Sequence, residues 1–154
     1  VLVPEIAQRF DLPLIAAGGI VDGASMAAAL ALGADGVQLG TRMVATIESP
    51  IHDNWKQAIV GAKETDTVIV NRHHRPAMRA LRTERTARLE LDDERLALDP
   101  RQMMDLYFGG DMEAAVAMGG QVAGRIHSVE PVADVLRRTW TDCQTVLREL
   151  AERV

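Results

Sequence analysis

The sequence predicts a parallel α/β fold, and three observations carry that expectation. Pro13-Leu14-Ile15-Ala16-Ala17-Gly18-Gly19-Ile20 is a short apolar run that closes on glycine, and Gly36-Val37-Gln38-Leu39-Gly40-Thr41-Arg42 repeats that form. Between them Ala24 to Leu32 is alanine-rich and helical in pattern. A buried parallel strand reads as a continuous apolar run rather than an alternation, so the three pieces spell a βαβ unit. Glycine at the carboxyl end of a strand lets backbone N–H groups approach a ligand that a Cβ would hold off, and phosphate suits two such loops side by side.

In a (β/α)8 barrel the loops after strands 7 and 8 commonly hold a phosphate. Two glycine-ended strands joined by one short helix match that pair of loops. Glycines serving only tight turns would explain a lone Gly-Gly, but they explain the second matching loop less well.

At these residues a family resemblance enters. Ala16-Ala17-Gly18-Gly19-Ile20, Asp22-Gly23, Ala28 to Ala34 and Gly36 to Arg42 together resemble the nitronate monooxygenase family, formerly called 2-nitropropane dioxygenases. Flavin-dependent enoyl-acyl-carrier-protein reductases share its fold and motifs. The resemblance is most specific over Val3 to Pro50 and traceable to about Val135. It implies the last two strands of a TIM barrel that holds FMN, with Gly18, Gly19, Gln38, Leu39, Gly40 and Thr41 at the phosphate end. It also implies a smaller α/β lid domain with helices. The expected layout is residues 1–50 as the end of the barrel, 51–115 as the lid, and 116–154 as the return to the barrel with a terminal helix.

The elements follow in chain order. Val3, Ile6, Ala7 and Phe10 fall on one helical face, with Pro4 in a first turn where its missing N–H costs nothing, and Asp11-Leu12-Pro13 turns into the first strand. Asp22 or Ser25 caps the next helix; a catalytic acid is the sharper reading of Asp22. Gly33 is placed to stop that helix and Gly36 to Leu39 to form the second strand. Thr41 stands where its hydroxyl could donate to a phosphate, while Arg42 either adds charge there or braces the loop.

After Glu48-Ser49-Pro50 the pattern changes. Asp53 to Ala62 reads as an amphipathic helix with Trp55, Ile59 and Ala62 near one face, and Thr67 to Val70 as a strand. Arg75 to Leu81 is expected to restart a helix with Pro76 near its first turn. By resemblance, the Arg75-Pro76-Ala77-Met78-Arg79 element belongs to the lid over the flavin's reactive face. His73 and His74 are read as extended neighbours on opposite faces, unable to share one ion, so no metal is expected. Leu89 to Pro100 is charged and reads as a solvated connection or short exposed helix. Pro100 to Phe108 and Met112 to Met118 are expected to be helical, with Asp111 as the N-cap of the second, and their methionines to fill core gaps.

Gly119-Gly120-Gln121-Val122-Ala123-Gly124 resembles the segment by which the family's chain returns to the flavin, which makes Gln121 a flavin neighbour; Val122 stands where many monooxygenases have serine. Glu130 to Val154 repeats Val132, Val135, Leu136, Trp140, Cys143, Val146, Leu147 and Leu150 at helical spacing, the pattern of a clamp on the barrel or a contact between two copies in a homodimer.

Net charge is −5, from 17 Lys and Arg against 22 Asp and Glu, and the two signs are interspersed. A nucleic-acid partner would need clustered cations, so none is expected. One cysteine, Cys143, excludes an intrachain disulfide, and no apolar run is long enough to span a membrane, so a cytoplasmic location is expected. The 154 residues fall short of the about 250 of a whole barrel. The sequence therefore reads as the C-terminal portion of a longer enzyme. By resemblance, the catalytic histidine lies upstream of Val1 and no catalytic residue lies within the chain, which is expected to be inactive in isolation. The implied reaction is oxidation of alkyl nitronates by O2 to carbonyl compounds and nitrite. The alternatives are an FMN- and NADH-dependent enoyl-acyl-carrier-protein reductase and a non-catalytic fragment.

Overall fold

A computed structural model describes residues 2–92, 95–97 and 99–153. The chain is mixed α/β and divides into two compact units: one comprises the residues up to Gly40 together with those from Glu130 onward, the other Thr41–Val129.

The first unit contains α1 (Leu2–Arg9), β1 (Ile15–Ala17), α2 (Gly23–Ala31), β2 (Gly36–Gln38) and a 20-residue helix, Val132–Ala151, which is α7 in the chain order completed below. β1 and β2 pair in parallel, with Ile15 opposite Gly36, Ala16 opposite Val37 and Ala17 opposite Gln38. Asp35 anchors that register, because its carboxylate accepts the Leu14 N–H at 2.7 Å while its own N–H donates to Leu14 O at 2.8 Å. Ala16, Ile20, Ala29 and Ala34 form the core, with Val3, Met26, Val37 and Leu39 packed around them.

α2 begins at a capping box: Ser25 N–H donates to Asp22 Oδ1 at 2.9 Å, and Ser25 Oγ accepts the Asp22 N–H at 3.1 Å. It ends, as the sequence predicts, at Gly33, whose φ is +100°. The helix is built from small side chains because it lies against α7. At Gly23 a Cβ would collide with the backbone of Asp142 and Cys143. On the facing side of α7, Val135, Thr139 and Cys143 are buried four residues apart, so one stripe of that helix is inside.

The second unit contains α3 (Thr41–Val44), α4 (Asp53–Val60), β3 (Thr67–Val70), β4 (Met78–Leu81), α5 (Glu84–Asp92), α6 (Pro100–Tyr107) and a 3₁₀ turn at Gln121–Arg125. Its core joins Val68, Val70, Ala80 and Val116. Trp55 and Ile59 of α4 are buried as their spacing predicts, and Trp55 stacks on Tyr107 of α6 at 5.2 Å between ring centroids. The N-terminus of α5 is capped by a residue far along the chain, since Glu113 accepts the backbone N–H groups of Glu84 at 3.0 Å and Arg85 at 2.7 Å.

Three expectations are corrected here. Met78–Leu81 is a strand, not a helix, antiparallel to β3 with Ala80 opposite Val68. The helix propensity of Met, Arg, Ala and Leu is outweighed by a partner strand that buries Ala80 and Leu81. Met112 to Met118 is not helical either: Asp111 caps only a turn, accepting the Glu113 N–H at 2.9 Å, and the segment straightens to bridge Ala80 through Met118. His73 and His74 lie in the bend between β3 and β4 rather than in a strand. Of the charged stretch Leu89 to Pro100, the first residues complete α5, whereas positions 93, 94 and 98 lie outside the described residues, as does Val154 at the end of the predicted last helix.

Candidate functional site

In the first unit the parallel register brings the ends of β1 and β2 together, so that Ala17 stands beside Gln38; β1 runs straight into Gly18 and Gly19, and β2 reaches Gly40 after Leu39. Gly18 and Gly19 take φ of +93° and +77°, a left-handed backbone that side chains rarely adopt. A Cβ placed at Gly18, Gly19 or Gly40 would meet nothing within 4 Å. The glycines are therefore not filling a tight packing space. They leave open room in front of exposed backbone at the carboxyl ends of two parallel strands, where ligands bind in open and closed α/β sheets. Gln38 is exposed at the same edge, while the Leu39 side chain turns inward against the core. A separate cleft of about 390 Å³, lined by Ala7, Phe10, Leu12, Leu14, Gly33 and Asp35, opens at the other, amino ends of the strands. In barrels that end serves stability rather than chemistry.

Asp22 is a cap. Its carboxylate holds the first turn of α2, which answers the alternative of a catalytic acid in favour of structure.

In the second unit Thr41 opens α3, and its hydroxyl oxygen accepts the Gly120 N–H at 2.9 Å. That bond uses an acceptor lone pair and leaves the hydroxyl's own proton for another oxygen. Of the two roles open to Arg42, the structure shows the brace: the side chain is buried and donates to Ser128 O at 2.9 Å and Ala45 O at 3.1 Å. Gln121 begins the 3₁₀ turn directly after Gly120 and is exposed, and the Val122 side chain is half-buried.

Two features of the second unit escaped the sequence reading. Asn71, at the end of β3, has φ +56°, and its buried amide donates to Pro76 O at 3.3 Å and accepts the Leu96 N–H at 2.6 Å. An asparagine closing a β-branched run is a signal for such a left-handed position. The other is a third strand segment beside β4, where Leu81 N–H donates to Ala117 O at 2.9 Å and Gly119 N–H to Arg79 O at 3.2 Å. Nothing in its local sequence marks it, since the pairing partner lies more than thirty residues away.

Among the described residues no group of three or more His, Cys, Asp and Glu is placed to hold a metal ion, and no helix is long and apolar enough to cross a membrane. Burial pushes the Cys143 thiol above its ordinary value, and Arg138 is held further into its charged form by the hydrogen-bonded Glu130 carboxylate at 2.6 Å.

The sequence profile described as "Nitronate monooxygenase" matches residues 1–151. A "Probable nitronate monooxygenase" of Staphylococcus saprophyticus is 46% identical over 70 residues, which are 46% of this chain and 20% of that protein. Among solved structures, FabK from Thermotoga maritima superposes with a TM-score of 0.91 at 34% identity, over 100% of this chain and 51% of its own. Nitroalkane oxidase from Streptomyces ansochromogenes does so at 0.75 and 25% identity, over 95% of this chain and 44% of its own. The chain thus spans about half the length of these solved relatives and a fifth of the curated one.

Proposed function

This chain belongs to the nitronate monooxygenase family, and from that premise we propose that the protein carrying it is an FMN-dependent oxidoreductase that converts alkyl nitronates and O2 to carbonyl compounds and nitrite. The observation that carries the reading is the pair of parallel strand ends with open space in front of left-handed Gly18 and Gly19 and in front of Gly40. A phosphate oxygen fits a place that a Cβ would fill. In this proposal residues 1–50 are the last two strands of a barrel, 51–115 the lid and 116–154 the return segment. The phosphate end of FMN is assigned to Gly18, Gly19, Gln38, Leu39, Gly40 and Thr41, and Gln121 to the flavin's neighbourhood.

When bound, FMN supplies the electron-accepting chemistry. The chain's own residues bind and orient. Gly18 and Gly19 expose backbone without a side chain in the way, Thr41 holds a hydroxyl proton ready for a phosphate oxygen, and the buried Arg42 fixes the turn that follows. The proton-abstracting base is assigned to no residue of this chain.

The close superposition on FabK favours a second reading, an enoyl-acyl-carrier-protein reductase that uses FMN and NADH. One parallel assay separates the two: oxygen uptake with propionate-3-nitronate, and NADH consumption with a crotonyl thioester, by the flavin-loaded protein. Oxygen uptake with negligible NADH consumption is expected, and the reverse would move the protein to the reductase class.

A further inference from the structure

The second unit contains a corner where a segment paired with β4 turns onto one hydroxyl. Residues 117–119 run beside β4, with Ala80 bridging Met118 and flanking bonds from Leu81 N–H to Ala117 O and from Gly119 N–H to Arg79 O. The next amide, that of Gly120, leaves the ladder and donates to Thr41 Oγ1 at 2.9 Å. The corner is closely packed: a Cβ at Gly119 would stand 3.4 Å from the Leu81 side chain and 3.9 Å from Thr41 Cγ2, and one at Gly120 would stand 3.5 Å from Thr41 Oγ1. β4 also carries Arg79, whose Nη1 donates to Thr67 Oγ1 on β3 at 3.0 Å. A continuous line of hydrogen bonds thus runs from Thr41 through the 117–120 segment to the sheet that holds Arg79.

We propose that Thr41 is a positioning residue, coupling a phosphoester held at its loop to the strand 117–120 and, through it, to β4. The inference rests on the FMN assignment above. A hydroxyl that accepts one hydrogen bond and donates another strengthens both, because bonded groups in series polarise one another. A phosphate oxygen taking the Thr41 proton therefore tightens the Gly120 bond, and the ordered 117–120 segment in turn presents that proton. Valine in place of Thr41 keeps the shape and removes the oxygen; serine keeps the oxygen.

The test, on the longer protein that carries this chain, is amide hydrogen exchange at Gly119, Gly120 and Leu81, without flavin, with FMN and with riboflavin, which lacks the phosphate. Without flavin, Thr41→Val is expected to speed Gly120 exchange about tenfold relative to Thr41→Ser, the equivalent of one lost neutral hydrogen bond. Equal rates in the two variants would overturn the clasp. FMN, and not riboflavin, is expected to slow Gly119 and Leu81 exchange in the parent and in Thr41→Ser, but not in Thr41→Val. Equal slowing in all three proteins would overturn the coupling and leave the cofactor assignment standing. A parent that does not quench FMN fluorescence would overturn both.

Discussion

A Cβ at Gly23 would collide with Cys143 N and with the Cβ and carbonyl carbon of Asp142, so α2 meets α7 with no room for a side chain at that point. Gly23→Ala must push the two helices apart, and the obstacle is backbone rather than a side chain that can swing away. Overpacking of this kind costs about 1–3 kcal/mol. Urea unfolding is expected to show a loss in that range for Gly23→Ala and almost none for Ala24→Ser, one residue on and exposed.

Asn71 combines an unfavourable backbone with two side-chain hydrogen bonds. Replacing it separates the two contributions. Asn71→Gly relieves the left-handed φ and loses only the bonds, whereas Asn71→Ala loses the bonds and retains the strain. The alanine variant is expected to be the less stable of the two by about 1 kcal/mol in chemical denaturation, and equal stabilities would show that the backbone conformation carries no cost.

Cys143 is buried with its thiol pushed above the ordinary value of 9.0 by loss of solvent. A raised value means that the folded state prefers the protonated thiol. Its contribution to stability is therefore complete below the unfolded thiol's titration and declines as pH rises through it. Parent protein is expected to lose denaturation midpoint as pH rises past 9.0, and Cys143→Ala to lose less over the same rise. A thiol reagent at neutral pH should react with Cys143 only as fast as α7 opens.

Gly19→Val tests the phosphate assignment. A β-branched side chain at φ +77° is strained and projects into the space left open for the ligand. FMN binding by the flavin-binding protein is expected to weaken at least tenfold (~1.4 kcal/mol or more) with the secondary structure unchanged by circular dichroism. FMN bound as tightly as by the parent would remove Gly19 from the site.

The first unit was legible in the sequence because its signals are local. An apolar run, a glycine pair, an Asp-x-x-Ser cap and an alanine stripe each fix their own piece of backbone, and the strand register follows from them. The two strand ends were found for the same reason. Reading failed where a residue's conformation is decided by a distant partner. Met78–Leu81 has helix-forming composition and becomes a strand because Val68 and Met118 flank Ala80 on both sides. Met118, likewise, is drawn out of a helical pattern by a strand thirty-eight positions earlier. Arg42 could not be assigned from sequence, since its acceptors are backbone oxygens at Ala45 and Ser128, and a carbonyl leaves no mark in a sequence.

The packing of α2 on α7 also has a consequence during synthesis. α7 is translated after the whole of the second unit, so the face of α2 that it covers stays bare while more than a hundred residues emerge. At about 5–20 residues per second that wait is on the order of ten seconds, far longer than a helix of this size needs to form. Because α2 meets α7 through Gly23 and its buried positions are only glycine and alanine, the nascent chain waits with little apolar surface uncovered on that face, and a chaperone finds little there to hold.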